Sequence, residues 1–206
     1  MARRIALVIS VWLWLAVVSF GVGWLWSYNH AAGAAARPPD QWPASSSVAR
    51  VAGRPLVMSA HPKCPCSQAS VEELSKLMAN CQGQLDAYVL FVIPRNASPD
   101  WYQTDLWNSA ARIPAVRVVI DQAGAEASRF GALTSGQVLL YDGNGELSFA
   151  GGITQSRGHS GDNAGRSAIE SLVNRAAAEI DHSQVFGCPL FNPEECPIPN
   201  REKASK

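Results

Sequence analysis

His61-Pro62-Lys63-Cys64-Pro65-Cys66-Ser67 sets two cysteines on either side of one proline, and the flanking residues give the pair its meaning. Upstream, residues 55–60 (PLVMSA) are an apolar run of strand length. Downstream, residues 67–80 place Val71, Leu74, Leu77 and Met78 on one face of a helix. The cysteines therefore fall at a strand-to-helix corner. There the unpaired N–H groups and positive end of the helix favour a thiolate, the nucleophile of disulfide exchange, and Lys63 adds a positive charge nearby. Cys64 is expected to be the attacking thiol and Cys66 its first-choice resolving partner. With only Pro65 between them, a Cys64–Cys66 disulfide closes a small ring around a residue whose φ is fixed, so it is expected to be strained and easily reduced.

Working outward, residues 87–93 read as a continuous apolar strand, about 99–111 as a helix, 115–120 as a β-branched strand and 125–130 as a short helix. Residues 137–141 and 146–149 are strands joined by Asp142-Gly143-Asn144-Gly145, which tolerate positive φ and predict an antiparallel hairpin. A last helix over 163–180, with Asp162 as its N-cap, presents Ile169, Leu172, Val173, Ala176 and Ile180 to the core.

Ahead of this domain, residues 5–26 (IALVISVWLWLAVVSFGVGWLW) carry no charge over 22 positions, enough for a helix to cross a bilayer. Trp24, Trp26 and Tyr28 suit an aromatic belt at the far interface, which favours a retained anchor over a signal cleaved in Ala31–Ala36. Arg3 and Arg4 are expected to stay cytoplasmic, making this a single-pass bacterial inner-membrane protein with a periplasmic domain. The organisation expected is 1–4 cytoplasmic, 5–26 transmembrane, 27–50 an Ala/Pro/Ser-rich spacer, 51–182 the folded domain and 183–206 a tail rich in proline and holding Cys188 and Cys196. Formal net charge is zero; with Arg3 and Arg4 set aside, 15 basic residues face 17 acidic ones. No basic footprint exists for nucleic acid.

The order βαβ(α)β(α)ββα and the cysteine corner resemble the thioredoxin superfamily over roughly residues 51–180, with one spacer residue fewer between the cysteines. The stretches TDLWNSAARIPAV, TSGQVLLYDGNGEL, FAGGITQSRGHSGDNAGR and VFGCPL further resemble bacterial membrane-anchored thioredoxin-fold proteins of the RedB type. The resemblance implies an α/β thioredoxin-like fold: a central mixed sheet with a terminal β-hairpin, flanked by helices and preceded by one transmembrane helix. It also implies redox-active cysteines acting on a thiol or disulfide of another exported protein, with no cofactor. The superfamily's cis-proline, which faces the cysteines and blocks metal capture, has no counterpart at Thr134-Ser135-Gly136-Gln137. That departure keeps a rival reading alive. Copper carriers of this fold bind through corner cysteines and a later histidine, and Cys64, Cys66 and His159 would be the set here.

Other features carry less. His61 and Pro65 sit at the corner, and His61 is as readily a local hydrogen-bond partner as a ligand. Peroxidase chemistry lacks its hydroxyl three residues before the cysteine, where His61 and Lys63 stand. Gly158, Gly161 and Gly165 do not match a phosphate loop. Cys81 reads as a buried inert thiol, and Trp42, Trp101 and Trp107 as core packing. An odd count of five cysteines leaves at least one unpaired. Cys188 is expected either to close a local loop with Cys196, the preferred pairing, or to fold back and resolve Cys64.

Overall fold

The computed structural model describes residues 1–34, 36–98, 100–174 and 178–191, and the chain divides into two compact units, Met1–Ala31 and Ala32–Lys206. The first unit is helix α1 (Ala2–Asn29), long and apolar enough to cross a membrane, with none of its apolar window buried. It exceeds the charge-free run because Arg3, Arg4 and Ser27–Asn29 continue the same helical backbone.

In the second unit, β1 (Pro55–Ala60), β2 (Asp86–Ile93), β3 (Val116–Gln122), β4 (Gln137–Tyr141) and β5 (Leu147–Gly151) form one sheet in the order β3-β2-β1-β4-β5. β1, β2 and β3 run parallel, while β4 pairs antiparallel with both β1 and β5. Alternation of side chains along each strand feeds two cores. Leu56, Met58, Val89, Phe91, Val138 and Leu140 face helices α2 (Ser67–Asn80), α3 (Asp105–Ala111) and α5 (Ala164–Val173). Val57, Tyr88, Leu90, Leu139 and Tyr141 face the opposite side, closed by Phe130 after the short helix α4 (Ala125–Arg129), and by Val48 and Trp42. The hairpin turns as its residues demand: the Asp142 carboxylate accepts from the N–H groups of Asn144 and Glu146, each at 2.8 Å, and Gly145 takes φ +88°.

Several boundaries differ from the sequence reading. α3 begins at Asp105, where the Thr104 hydroxyl accepts from Trp107 N–H at 3.3 Å; Pro99 lies outside the described residues. Asn163, not Asp162, caps α5, its side chain accepting from Arg166 N–H at 2.8 Å, and the helix ends at Val173. Residues 175–177, including Ala176, lie outside the described residues. β3 runs on to Gln122, and the buried Asp121 carboxylate accepts from Glu126 and Ala127 N–H to start α4.

The stretch read as spacer does not stand apart from the domain. Gly33 N–H donates to Val185 O, Arg37 N–H to Gly131 O, and Trp42 N–H to Gly145 O. The Trp42 ring meets Phe130 and Tyr141 edge-on at 5.0 and 5.3 Å. Trp107 likewise packs on Phe91 at 5.0 Å.

The corner depends on α2 staying seated, and Leu74, fully buried at the centre of that helix, is its main anchor. Leu74→Ala is expected to cost about 2–5 kcal/mol, a large part of a typical domain's stability. Thermal denaturation of the detergent-solubilised chain should show a clearly lowered Tm.

Candidate functional site

The cysteines sit where β1 gives way to α2. Cys64 N–H donates to His61 O at 3.0 Å and Ser67 N–H to Cys64 O at 3.1 Å, so residues 61–67 turn tightly into the helix. Cys66 is the N-cap, with φ −67° and ψ −27°, and its side chain makes no capping bond. Cys64 and Cys66 are buried, whereas Pro65 and Lys63 are exposed.

A third cysteine joins them. The segment after α5 returns to the loop before β4: Ser135 N–H donates to Cys188 O at 2.8 Å, Leu190 N–H donates to Leu133 O at 2.9 Å, and Thr134 bridges Pro189 as an antiparallel pair. The sulfurs of Cys64, Cys66 and Cys188 all lie within 4.8 Å of one another. The approach is close enough to require glycine: a Cβ on Gly187 would meet Ser135 O at 1.8 Å. Leu190 is buried beside Val92, Ala127 and Ala132 and pins the segment. Cys64, Cys66, Cys81 and Cys188 are all free thiols, and Cys196 lies outside the described residues.

Ser135 organises the corner. Its hydroxyl oxygen accepts from His61 N–H at 2.8 Å and lies 2.6 Å from the Ser67 hydroxyl. Ser67 in turn bonds to the Cys64 sulfur. With Cys64 ionised, Ser67 would donate to its sulfur and Ser135 to Ser67.

The three thiols are electrostatically unequal. Burial alone would raise Cys64, but hydrogen bonds from the Ser67 and Cys188 side chains and from their backbone N–H groups hold it below the ordinary thiol value. Burial raises Cys66, and the Cys64 charge raises it further, against the opposing pull of Arg157. Cys188 is pushed up to about 12, by burial first and then by its hydrogen bond to Cys64. Cys64 is thus the most acidic of the three thiols, lowered where Cys66 and Cys188 are raised.

The nearby cation differs from the one expected. Lys63 extends over the Trp101 ring, 4.6 Å from its centroid, while Arg157 hydrogen-bonds Cys66 and donates to Gly187 O at 2.6 Å. Arg157 is held by its loop: the fully buried Glu73 carboxylate accepts from Gly161 N–H and Asn163 Nδ2 and pairs with Arg166 at 3.0 Å and Lys76 at 2.6 Å. Nothing in the sequence signalled Arg157 or Glu73, which act through contacts distant along the chain, and Ser67, though inside the motif, carries no mark there of its bond to Cys64. His61 is half-buried and its pKa is lowered, by burial first and then by Lys63. His159 is exposed, its Nδ1 2.7 Å from Arg157 O, and it is not part of the sulfur cluster. Thr134 donates to Ala34 O at 3.1 Å instead of facing the sulfurs. Cys81 is buried at the end of α2, its thiol raised by burial and then by Glu170.

No protein-family model matches the chain, and no curated protein sequence matches it. Among solved structures, an uncharacterized conserved protein from Geobacillus kaustophilus aligns with TM-score 0.57 at 14% identity, over 80% of this chain and 94% of that one. A hypothetical protein from Sinorhizobium meliloti 1021 aligns with TM-score 0.56 at 19% identity, over 68% of this chain and 79% of that one. A secreted Mycobacterium tuberculosis disulfide oxidoreductase aligns more loosely, with TM-score 0.42 at 12% identity, over 60% and 81%.

A hydrogen bond to a charged group contributes about 1.5–3 kcal/mol, or roughly one to two pH units of titration midpoint. Ser67→Ala is therefore expected to move the alkylation midpoint of Cys64 up by about one pH unit or more, read by mass spectrometry of iodoacetamide-treated reduced protein. An unchanged midpoint would remove Ser67 from the account. The parallel β1-β2-β3 set, the antiparallel β4-β5 hairpin, the covering helices and the cysteines at the β1–α2 corner make this domain a thioredoxin-like fold.

Proposed function

We propose that the protein is a membrane-anchored thiol–disulfide oxidoreductase whose domain faces the periplasm and exchanges electrons with another exported protein. The observation that carries this reading is the gathering of three sulfurs, those of Cys64, Cys66 and Cys188, within 4.8 Å of one another at the strand-to-helix corner. Helix α1 supplies the anchor, and Arg3 and Arg4 ahead of its apolar run favour a cytoplasmic N-terminus. A cleft of about 520 Å³, lined by His61, Val92, Pro94, Asn96 and Leu190, gives a partner segment room beside the corner.

In the exchange, Cys64 Sγ attacks one sulfur of the partner disulfide. An S–S bond forms between Cys64 and that sulfur, and the partner's other sulfur leaves as a thiolate and takes up a proton. A second thiol of this chain, once deprotonated, attacks Cys64 Sγ, closing an internal disulfide and releasing the partner's remaining sulfur. The partner has gained two electrons and the chain has lost two; the reverse sequence oxidises a partner dithiol.

Cys188 is the better resolving thiol. It arrives from a separate segment and closes no small ring around Pro65, whereas a Cys64–Cys66 disulfide would enclose a residue whose φ is fixed. Forming the mixed disulfide also removes the Cys64 hydrogen bond and charge that add to burial in raising Cys188, which favours its deprotonation after attack.

Trapping separates the roles. With a disulfide-bonded peptide as substrate, Cys64→Ser should abolish exchange and Cys188→Ser should accumulate a mixed disulfide at Cys64, while Cys66→Ser should still turn over. Accumulation in Cys66→Ser, with turnover in Cys188→Ser, would hand resolution to Cys66. Retained exchange in Cys64→Ser would overturn the function.

A further inference from the structure

Disulfide exchange uses two sulfurs, yet the fold gathers three. Cys64 and Cys66 come from the β1–α2 corner and Cys188 from the returning segment, and the sulfurs lie within 4.8 Å of one another. Metal–thiolate bonds are about 2.3 Å long, so three sulfurs placed trigonally around one ion stand about 4 Å apart. The observed triangle needs shifts of less than about 1 Å to reach that arrangement. Among the described residues no histidine or carboxylate belongs to the cluster, and His61 and His159 make contacts of their own outside it. A set that among the described residues is three thiolates with no fourth donor suits a soft monovalent ion better than zinc, which takes four ligands in closed sites.

The surroundings fit the charge. Three thiolates around a monovalent cation leave two net negative charges, and Arg157 donates to Cys66 while also bonding Gly187 O beside Cys188. The positive end of α2 faces the same point. The Thr134–Ser135 loop, which opposes the corner, sets no proline ring over the sulfurs: Thr134 turns to Ala34 O and Ser135 to Ser67.

We propose that, in the reduced protein, Cys64, Cys66 and Cys188 form a three-sulfur site for Cu(I). Binding exchanges three thiol protons for one Cu(I), with no change in the oxidation state of either. An internal disulfide at Cys64 removes two of the three ligands, so copper capture and disulfide oxidation exclude each other. The third ligand is then Cys188 rather than His159. This site is independent of the oxidoreductase reading: the same thiols bind copper whether or not they exchange disulfides.

The test uses the full chain in detergent, reduced and desalted under anaerobic conditions, then titrated with Cu(I) from a chromophoric chelator. One Cu(I) per chain should bind, with a near-ultraviolet thiolate-to-copper band and X-ray absorption fitted by three sulfurs. Disulfide-oxidised protein should take up none. Cys188→Ser should weaken binding by at least the roughly tenfold that losing even a residue supporting a metal ligand costs. His159→Ala should bind as the unaltered protein does. Two-sulfur or nitrogen-containing coordination in the unaltered protein would overturn the site whether or not the variants fold, as would an unchanged affinity in Cys188→Ser. An exchange assay run with excess copper chelator keeps the two readings apart. Exchange without copper binding sinks this inference alone, and copper binding without exchange supports it while sinking the oxidoreductase.

Discussion

The Ser135 hydrogen bonds hold the site together. From two residues ahead of β4, its N–H donates to the carbonyl of Cys188, and its hydroxyl oxygen accepts from the N–H of His61 and meets Ser67. Three segments distant in sequence are thereby fixed at one point: the cysteine corner, the loop before the hairpin and the returning chain end. Ser135 is fully buried, so each of these bonds forms where an unpaired polar group would cost about 1–3 kcal/mol.

The second constraint lies on the other side of the sulfurs. Glu73, near the middle of α2, is a buried carboxylate whose partners all belong to the loop after β5, to the start of α5 or to its own helix. A buried charge of this kind persists only with its partners in place. Its structural consequence is to seat the loop that carries Arg157, the cation that serves Cys66 and the backbone beside Cys188. The thiols thus lie between a hydroxyl relay that stabilises charge on Cys64 and a guanidinium that favours it on the other two.

Much of this was legible in the sequence, for local reasons. Strand and helix periods and the Asp-Gly-Asn-Gly turn are short-range signals, and they located β1, α2, β4 and the corner between the first two. Residues 33–48 were not legible, because their docking rests on backbone hydrogen bonds and on Trp42, which leave no period. The cap of α5 fell on Asn163 rather than the adjacent Asp162, a choice that Asn163's further bond to Glu73 helps to explain. Cys188 posed the hardest case. Its approach depends on pairing with Leu133–Ser135, a contact far along the chain, and on a glycine whose need is visible only beside Ser135 O.

The central claim is that Cys188 is the working partner of Cys64. Peptide mapping of the oxidised, unaltered protein by mass spectrometry addresses it most directly. A Cys64–Cys188 linkage as the dominant species is the result this account predicts; a dominant Cys64–Cys66 or Cys188–Cys196 linkage would contradict it.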